Sequence, residues 1–441
     1  MEQHEEPEAP NRWDESHLMR DAFRVPPWPI YRFGVWLLSS LQVTKRALEP
    51  PPSTIFDMVR GAWRSQILYT VAALNVADVL GQEGPQTAHQ LAETLGVCEE
   101  RLYRVLRAAV QIGLFQAVLP TKKSPGVKFK NNKRSALLRD GHPNCLKNMV
   151  LHMTDHNKPA WDVLHWATST GDLAFEHTHQ GLSEFEWLKA NPAEEDKFSK
   201  AMKEVDSLGL HVAVVDYSWN RHGRIIDIGG AYGSFLASIL AKHPKPRGVL
   251  FDQSQVVKRA EDLWKEDEAL VPLTERVDFC AGDFFQPDTL PTGQDGDAYM
   301  LRLILHDWNN EDSVAILSSI RQAMGNAKAR LLIVETTMGN EFKDPLFQRA
   351  LMDVHMMVCL NGHERTVPEW KALLEAAGFK FSRLIETRGV FSLVEAVPAP
   401  IPKHKAGSEG EGSQDVHINL KHKYLKDYGV ITVNLDQEPE P

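Results

Sequence analysis

The sequence predicts a two-part α/β protein: a helical N-terminal region with a small β-wing, followed by a mostly parallel sheet covered by helices on both faces. Three observations predict it. Apolar residues recur at helical spacing from Ile55 to about Thr154. From Arg224 the period changes, and short β-branched or apolar runs (RIIDI, RGVLFD, RVDFCAG, DAYMLRLIL, RLLIVET) alternate with amphipathic stretches such as FLASILAKH and DSVAILSSIRQAM, the pattern of βαβ units. The 441 residues are enough for two or three domains and a large core.

In chain order, residues 1–28 are polar and proline-bearing and are expected to be irregular. Residues 29–49 form a short amphipathic stretch that the prolines at 50–52 stop; its apolar side suits the body of the protein or a second subunit. Residues 1–54 are therefore read as an N-terminal extension. In TAHQLAETLGVCEERLYRVLRAAVQIGLF the pattern is helix, turn at Gly96, helix, with Gly113 closing it, and VLPTKKSPGVKFKNN then reads as a wing. Residues 55–155 are thus expected to be a winged-helix domain.

Arg101, Arg104 and Arg107 line one helical side, as a nucleic-acid reader would need. The formal net charge of −10 argues against that partner, and a structural or dimerising role is the expectation. Residues 156–219 are a helical linker rich in aromatics and histidine, and residues 220–398 carry the sheet. KFSRLIETR and FSLVEAV, around Gly389, are expected to close its edge as a hairpin. Residues 399–441, rich in Pro, Gly, Lys and Glu, are expected to be largely disordered, with one strand-like run, YGVITVNL.

Several classes are disfavoured. Cys98, Cys145, Cys280 and Cys359 show no paired spacing, which fits free thiols in a reducing compartment. No apolar run reaches eighteen residues, so no membrane span is expected. The acidic start MEQHEEPEAP lacks the basic region of a secretory signal, and a cytoplasmic location is the default. No His, Cys and Asp grouping has metal spacing along the chain, and no metal is expected.

In an open α/β sheet ligands bind at the carboxyl ends of the strands. The first strand ends at Asp227-Ile228-Gly229-Gly230-Ala231-Tyr232-Gly233, where glycine allows a tight turn and close approach to a ligand. The second ends at Asp252, placed to accept both hydroxyls of a ribose. At the end of the third, Asp283 suits an adenine amino group and Phe284 its ring. Taken singly, either acid is as readily a helix N-cap.

IDIGGAYG, GVLFD, AGDFF, MLRLILHDWNNEDSVAIL, LLIVET and NGHERTVPEWKALLEAAGF, in this order, resemble the motifs of the small-molecule O-methyltransferases of the caffeic acid and hydroxyindole type. The resemblance runs from about Ala62 to Val397. It implies a winged-helix domain used for homodimerisation and a Rossmann-like sheet of six parallel strands and one antiparallel strand. The implied cofactor is S-adenosylmethionine, held by Asp227, Gly229, Gly230, Gly233, Asp252, Asp283, Phe284 and Arg302. His306 is implied as general base, with Glu335 and Glu364 flanking it, and Phe198, Met202, His355 and Met356 as lining of the acceptor pocket. The implied reaction moves the methyl group onto a hydroxyl of a small, aromatic acceptor.

The loop departs from the family at Ala231, where glycine is usual. If that position needs a positive φ, alanine costs roughly 1–2 kcal/mol; if not, it is harmless. Asp307 reads as a helix-capping or cofactor-side residue that points away from His306. The competing reading, which Ala231 alone favours, is a dimeric binding or regulatory protein on this fold whose catalysis has lapsed.

Overall fold

The computed structural model describes residues 25–121, 126–207, 211–339 and 348–399. The expectations for residues 1–24 and for the tail from 400 onward, the YGVITVNL run included, lie outside the described residues.

Two long helices, Trp28–Leu48 and Pro51–Ala73, open the chain. The prolines do more than stop the first: Pro50 caps the second and Pro51 occupies its first turn, where the fixed φ of proline is pre-organised and its missing N–H is no loss. A boundary between residues 54 and 55 therefore falls inside a helix. The first helix is tethered to the far end of the chain. Arg388 pairs with Asp216 and donates to the Pro26 carbonyl at 2.9 Å, while its guanidinium lies 5.7 Å from the Trp28 ring centre.

The helix–turn–helix–wing pattern is present as read. Helix Ala88–Leu95 opens with a reciprocal cap between Thr87 and Gln90 and ends at Gly96 with φ of 66°, a left-handed turn that glycine adopts without strain. Helix Glu99–Gln111 follows. The wing pairs strands β1 (Gln86–Thr87), β2 (Phe115–Val118) and β3 (Lys128–Asn131) in the order β1-β3-β2. Leu91, Leu102, Leu106, Phe115 and Phe129 fill its core.

The large sheet contains β4 (Arg224–Ile228), β5 (Arg247–Asp252), β6 (Val277–Ala281), β7 (Asp297–Arg302) and β8 (Arg330–Glu335). A short pair, β9 (Thr337–Met338) with β10 (Arg365–Thr366), stands apart, and β11 (Phe379–Glu386) and β12 (Ser392–Pro398) form the edge hairpin. The order is β11-β12-β8-β7-β4-β5-β6. β4 to β8 are parallel and β12 runs against both β8 and β11, so six strands share one direction and β12 opposes them.

Alternate residues face opposite layers. Ile226, Leu301 and Ile333 pack with Ile316, Ile320 and Trp370 on one side. Ile225, Met300 and Leu332 pack with Leu236, Ile239 and Trp264 on the other. Each such side chain contributes about 1.5–3 kcal/mol by leaving water. These layers fix the strand ends that carry the site. No helix among the described residues is long and apolar enough to cross a membrane.

Candidate active site

β4 runs into a turn with φ of 69° at Gly229, 50° at Ala231 and 78° at Gly233 before helix Ser234–Lys242. A Cβ on Gly230 would lie 2.5 Å from Leu250 and 2.7 Å from the Asp227 carboxylate, so the loop closes only with glycine there. Ala231 takes the left-handed conformation that the sequence reading posed as a condition, with its strain of roughly 1–2 kcal/mol. Its N–H donates to Asp252 Oδ2 at 2.9 Å, which draws the loop onto the end of β5.

Asp252 Oδ1 accepts from the Gln253 N–H at 2.7 Å. Burial raises its pKa, and these two amides act against that rise. A carboxylate has about four lone-pair sites, so Asp252 keeps capacity for ligand hydroxyls. Asp283 accepts from the Phe285 N–H at 2.9 Å and so shapes its own loop. Phe284 lies edge-on to Trp308 at 6.0 Å, beside Gly229. Arg302 ends β7 with its guanidinium 5.3 Å from the Phe235 ring centre. The strand ends thus bring the cofactor residues read from the sequence into one row: a turn that admits no extra Cβ at 230, a carboxylate with free acceptor sites, and an aromatic face.

One strand over, β7 leads through Leu303, strained at φ of 52°, into the turn Leu305–Asp307 that carries His306. His306 is buried. Its Nδ1 lies 3.0 Å from Glu364 Oε1 and its Nε2 lies 3.3 Å from Asp307 Oδ1. Burial alone would lower its pKa, but the carboxylates of Asp307, Glu364 and Glu335 outweigh it and push the imidazole up to about 10. Asp307 is pushed up to about 7, by burial first and by its acidic neighbours, against the pull of His306.

Two residues act differently from the reading. Asp307 does not point away; it faces the His306 imidazole, and the following helix is capped by Asn309 instead. Glu335 does not touch the imidazole: its Oε1 accepts from the N–H groups of Ile304 at 3.2 Å and Leu305 at 2.7 Å. It acts on His306 by holding the turn and through its charge.

Two further residues were missed. Arg365 is wholly buried and donates to the carbonyls of Leu305 (2.6 Å) and Trp308 (2.9 Å), to Ser313 Oγ (3.0 Å) and to Asn310 Oδ1 (3.2 Å). It clamps the Leu305–Asp307 turn from the loop that supplies Glu364. Gly362 passes so close that a Cβ would lie 1.8 Å from the His306 carbonyl oxygen. The only signal in the sequence was their adjacency to Glu364.

Of the residues read from the sequence for the acceptor side, Phe198 and His355 are linked through His152 and Asn157. Phe198 meets His152 edge-on at 5.2 Å, and Asn157 Nδ2 lies 3.3 Å from His152 Nε2 and 3.5 Å from His355 Nε2. Trp161 Nε1 donates to His355 Nδ1 at 3.1 Å. Burial and the nearby charge of His306 push His355 down to about 4. Met356 is buried and Met202 half-buried.

Among known proteins, a family model described as the O-methyltransferase domain matches residues 161–380, and one described as the O-methyltransferase dimerisation domain matches residues 56–140. A phenazine O-methyltransferase from Lysobacter antibioticus is 36% identical over 350 residues, covering 79% of this chain and 97% of the relative. An 8-amino-8-demethylriboflavin N,N-dimethyltransferase from Streptomyces davaonensis is 34% identical over 332 residues, 75% of this chain and 90% of that one. Among solved structures, a methyltransferase of calicheamicin biosynthesis with S-adenosylhomocysteine bound superimposes with a TM-score of 0.65 at 27% identity, covering 80% of this chain and all of that one.

Proposed function

The chain belongs to the O-methyltransferase family with an N-terminal dimerisation domain, and from that premise we propose that it methylates a hydroxyl of a small aromatic acceptor with His306 as the general base. The observation that carries the proposal is the buried His306–Glu364 contact at 3.0 Å, one strand from the cofactor turn.

Bound S-adenosylmethionine supplies a methyl group that its sulfonium already makes electrophilic. Asp252 would hold the ribose, Asp283 and Phe284 the adenine, and the 229–233 turn the methionine end. What the protein must add is a base, because a phenol with a pKa near 10 is mostly protonated at neutral pH. The acceptor oxygen gives its proton to His306 Nε2 as it takes the methyl group, entering beside Asp307. The carboxylates around the imidazole raise its basicity, and a base positioned to take the proton as the oxygen attacks contributes roughly 10²–10⁴-fold. Glu364 holds the ring at Nδ1 and stabilises the imidazolium that forms.

Trp36, Phe56 and Trp63 stand exposed on the first two helices at 62%, 64% and 63%. An apolar surface of this kind suits a second copy of the chain, and a homodimer is part of the proposal. The four free cysteines fit a reducing, cytoplasmic setting.

The test is calorimetric titration with S-adenosylmethionine together with turnover of a panel of phenols. His306→Ala should keep cofactor binding and lose roughly 10²–10⁴-fold in turnover, while Asp252→Ala should lose binding. Full turnover by His306→Ala on every acceptor would remove the base from the proposal.

A further inference from the structure

Beside the residues read for the acceptor side, the linker helices hold a grouping that takes no part in the proton transfer at His306. His152 and His156 stand four residues apart on a π-helical turn, their ring centres 4.9 Å apart. Such turns recur at functional sites. Glu184, at the start of helix Glu184–Ala190, aims Oε1 at both rings, 3.0 Å from His156 Nε2 and 3.9 Å from His152 Nε2. All three residues are buried, and their ligand atoms lie within 4.8 Å of one another. Spacing along the chain hides this grouping, because Glu184 stands 28 residues beyond His156.

Protein ligands bind tetrahedral zinc at about 2.0–2.1 Å, which sets neighbouring ligand atoms about 3.3 Å apart. The two nitrogen–oxygen separations bracket that spacing. Asn157, wholly buried, supplies an independent observation. Its Nδ2 lies 3.3 Å from His152 Nε2, and an amide N–H only donates, so that imidazole nitrogen presents a lone pair. Asn157 Oδ1 is buried and has no hydrogen-bond partner among the described residues. A proton shared by His156 and Glu184 satisfies those two groups and leaves this oxygen unmet.

We propose that His152, His156 and Glu184 bind a borderline divalent cation of the zinc class. Two imidazoles and one carboxylate are the donors that such cations favour, and rotation of the Asn157 amide turns its oxygen inward as a fourth. The cation would tie the 152–156 turn to the 184–190 helix and brace the contacts that continue through Asn157 to His355.

The experiment uses the full chain, stripped with a chelator and titrated with zinc and with cobalt. One cation per chain is expected, with visible d–d absorption of bound cobalt and a higher thermal midpoint. Glu184→Gln, which keeps the side-chain shape, and His156→Ala should lose the cobalt bands, whereas His306→Ala should retain them. Wild-type protein without these bands at stoichiometric cobalt overturns the proposal, whatever the variants do. Bands that persist in both Glu184→Gln and His156→Ala, or that vanish in His306→Ala, overturn it as well.

Discussion

Glu364 Oε1 and His306 Nδ1 meet at 3.0 Å although 58 residues separate them in the chain. The contact leaves Nε2 as the nitrogen that faces Asp307, and it makes the acidity of the imidazole depend on the loop that precedes β10.

The pH dependence of turnover should report that contact. His306 accepts a proton only when neutral, so activity rises as pH climbs towards its pKa of about 10. Glu364→Gln removes a carboxylate that raises this pKa, so the ascending limb of kcat/KM should move to lower pH. Each unit of that fall takes about 1.4 kcal/mol from the imidazolium, and the plateau should drop with it. An unmoved limb would show that another group titrates.

Arg365 and Gly362 should be needed for geometry. Arg365→Met removes the closest donor to the Leu305 and Trp308 carbonyls and leaves them the longer contacts of the Trp308 N–H and Ser313 Oγ, a cost of about 1 kcal/mol or more. Gly362→Ala places a methyl group where the His306 carbonyl oxygen stands. Both variants should melt earlier and lose kcat, while cofactor affinity by calorimetry stays near wild type. Wild-type kcat in Gly362→Ala would mean that the two loops separate freely.

Ala231→Gly should relieve the strain at φ of 50°. The gain is about 1–2 kcal/mol, reduced by up to about 1 kcal/mol for the extra freedom of glycine in the unfolded chain. Thermal denaturation should therefore show a modest rise in Tm, with cofactor binding equal or tighter. A lower Tm would place the stabilising effect in the methyl group's own contacts.

Trp63→Glu with Phe56→Glu should convert a dimer to a monomer, read by light scattering on a sizing column. Both side chains are mostly exposed in the single chain, so folding of the monomer should be little affected. A variant that elutes at the wild-type mass would move the interface elsewhere.

The strands, their ends and the helix–turn–helix–wing were legible because each rests on local periodicity and turn chemistry. Gly96, for example, closes its helix at φ of 66°, as a glycine after a helical run should. The base turn was legible only in part. His306 follows an apolar strand and stands out, but the side-chain direction of Asp307 depends on the strained Leu303 turn, which no pattern in the residues announces. Glu335 looked like a partner of His306 because both stand at the ends of neighbouring strands. Its carboxylate goes instead to the Ile304 and Leu305 amides, which the turn exposes on that side. The reach of Arg365 to four acceptors between 305 and 313 is a tertiary fact with no local signature.

The clamp on the His306 turn also ties the site to the last part of its domain to be synthesised. Domains form from the N-terminus as the ribosome releases them. Every residue assigned to the cofactor lies between 227 and 302, whereas Gly362, Glu364 and Arg365 come some sixty residues after the last of these. Because a domain folds as a unit, the groups read for the cofactor wait for the strands and the loop that follow them, and the ability to bind and the ability to react should appear together once the last strand has left the ribosome.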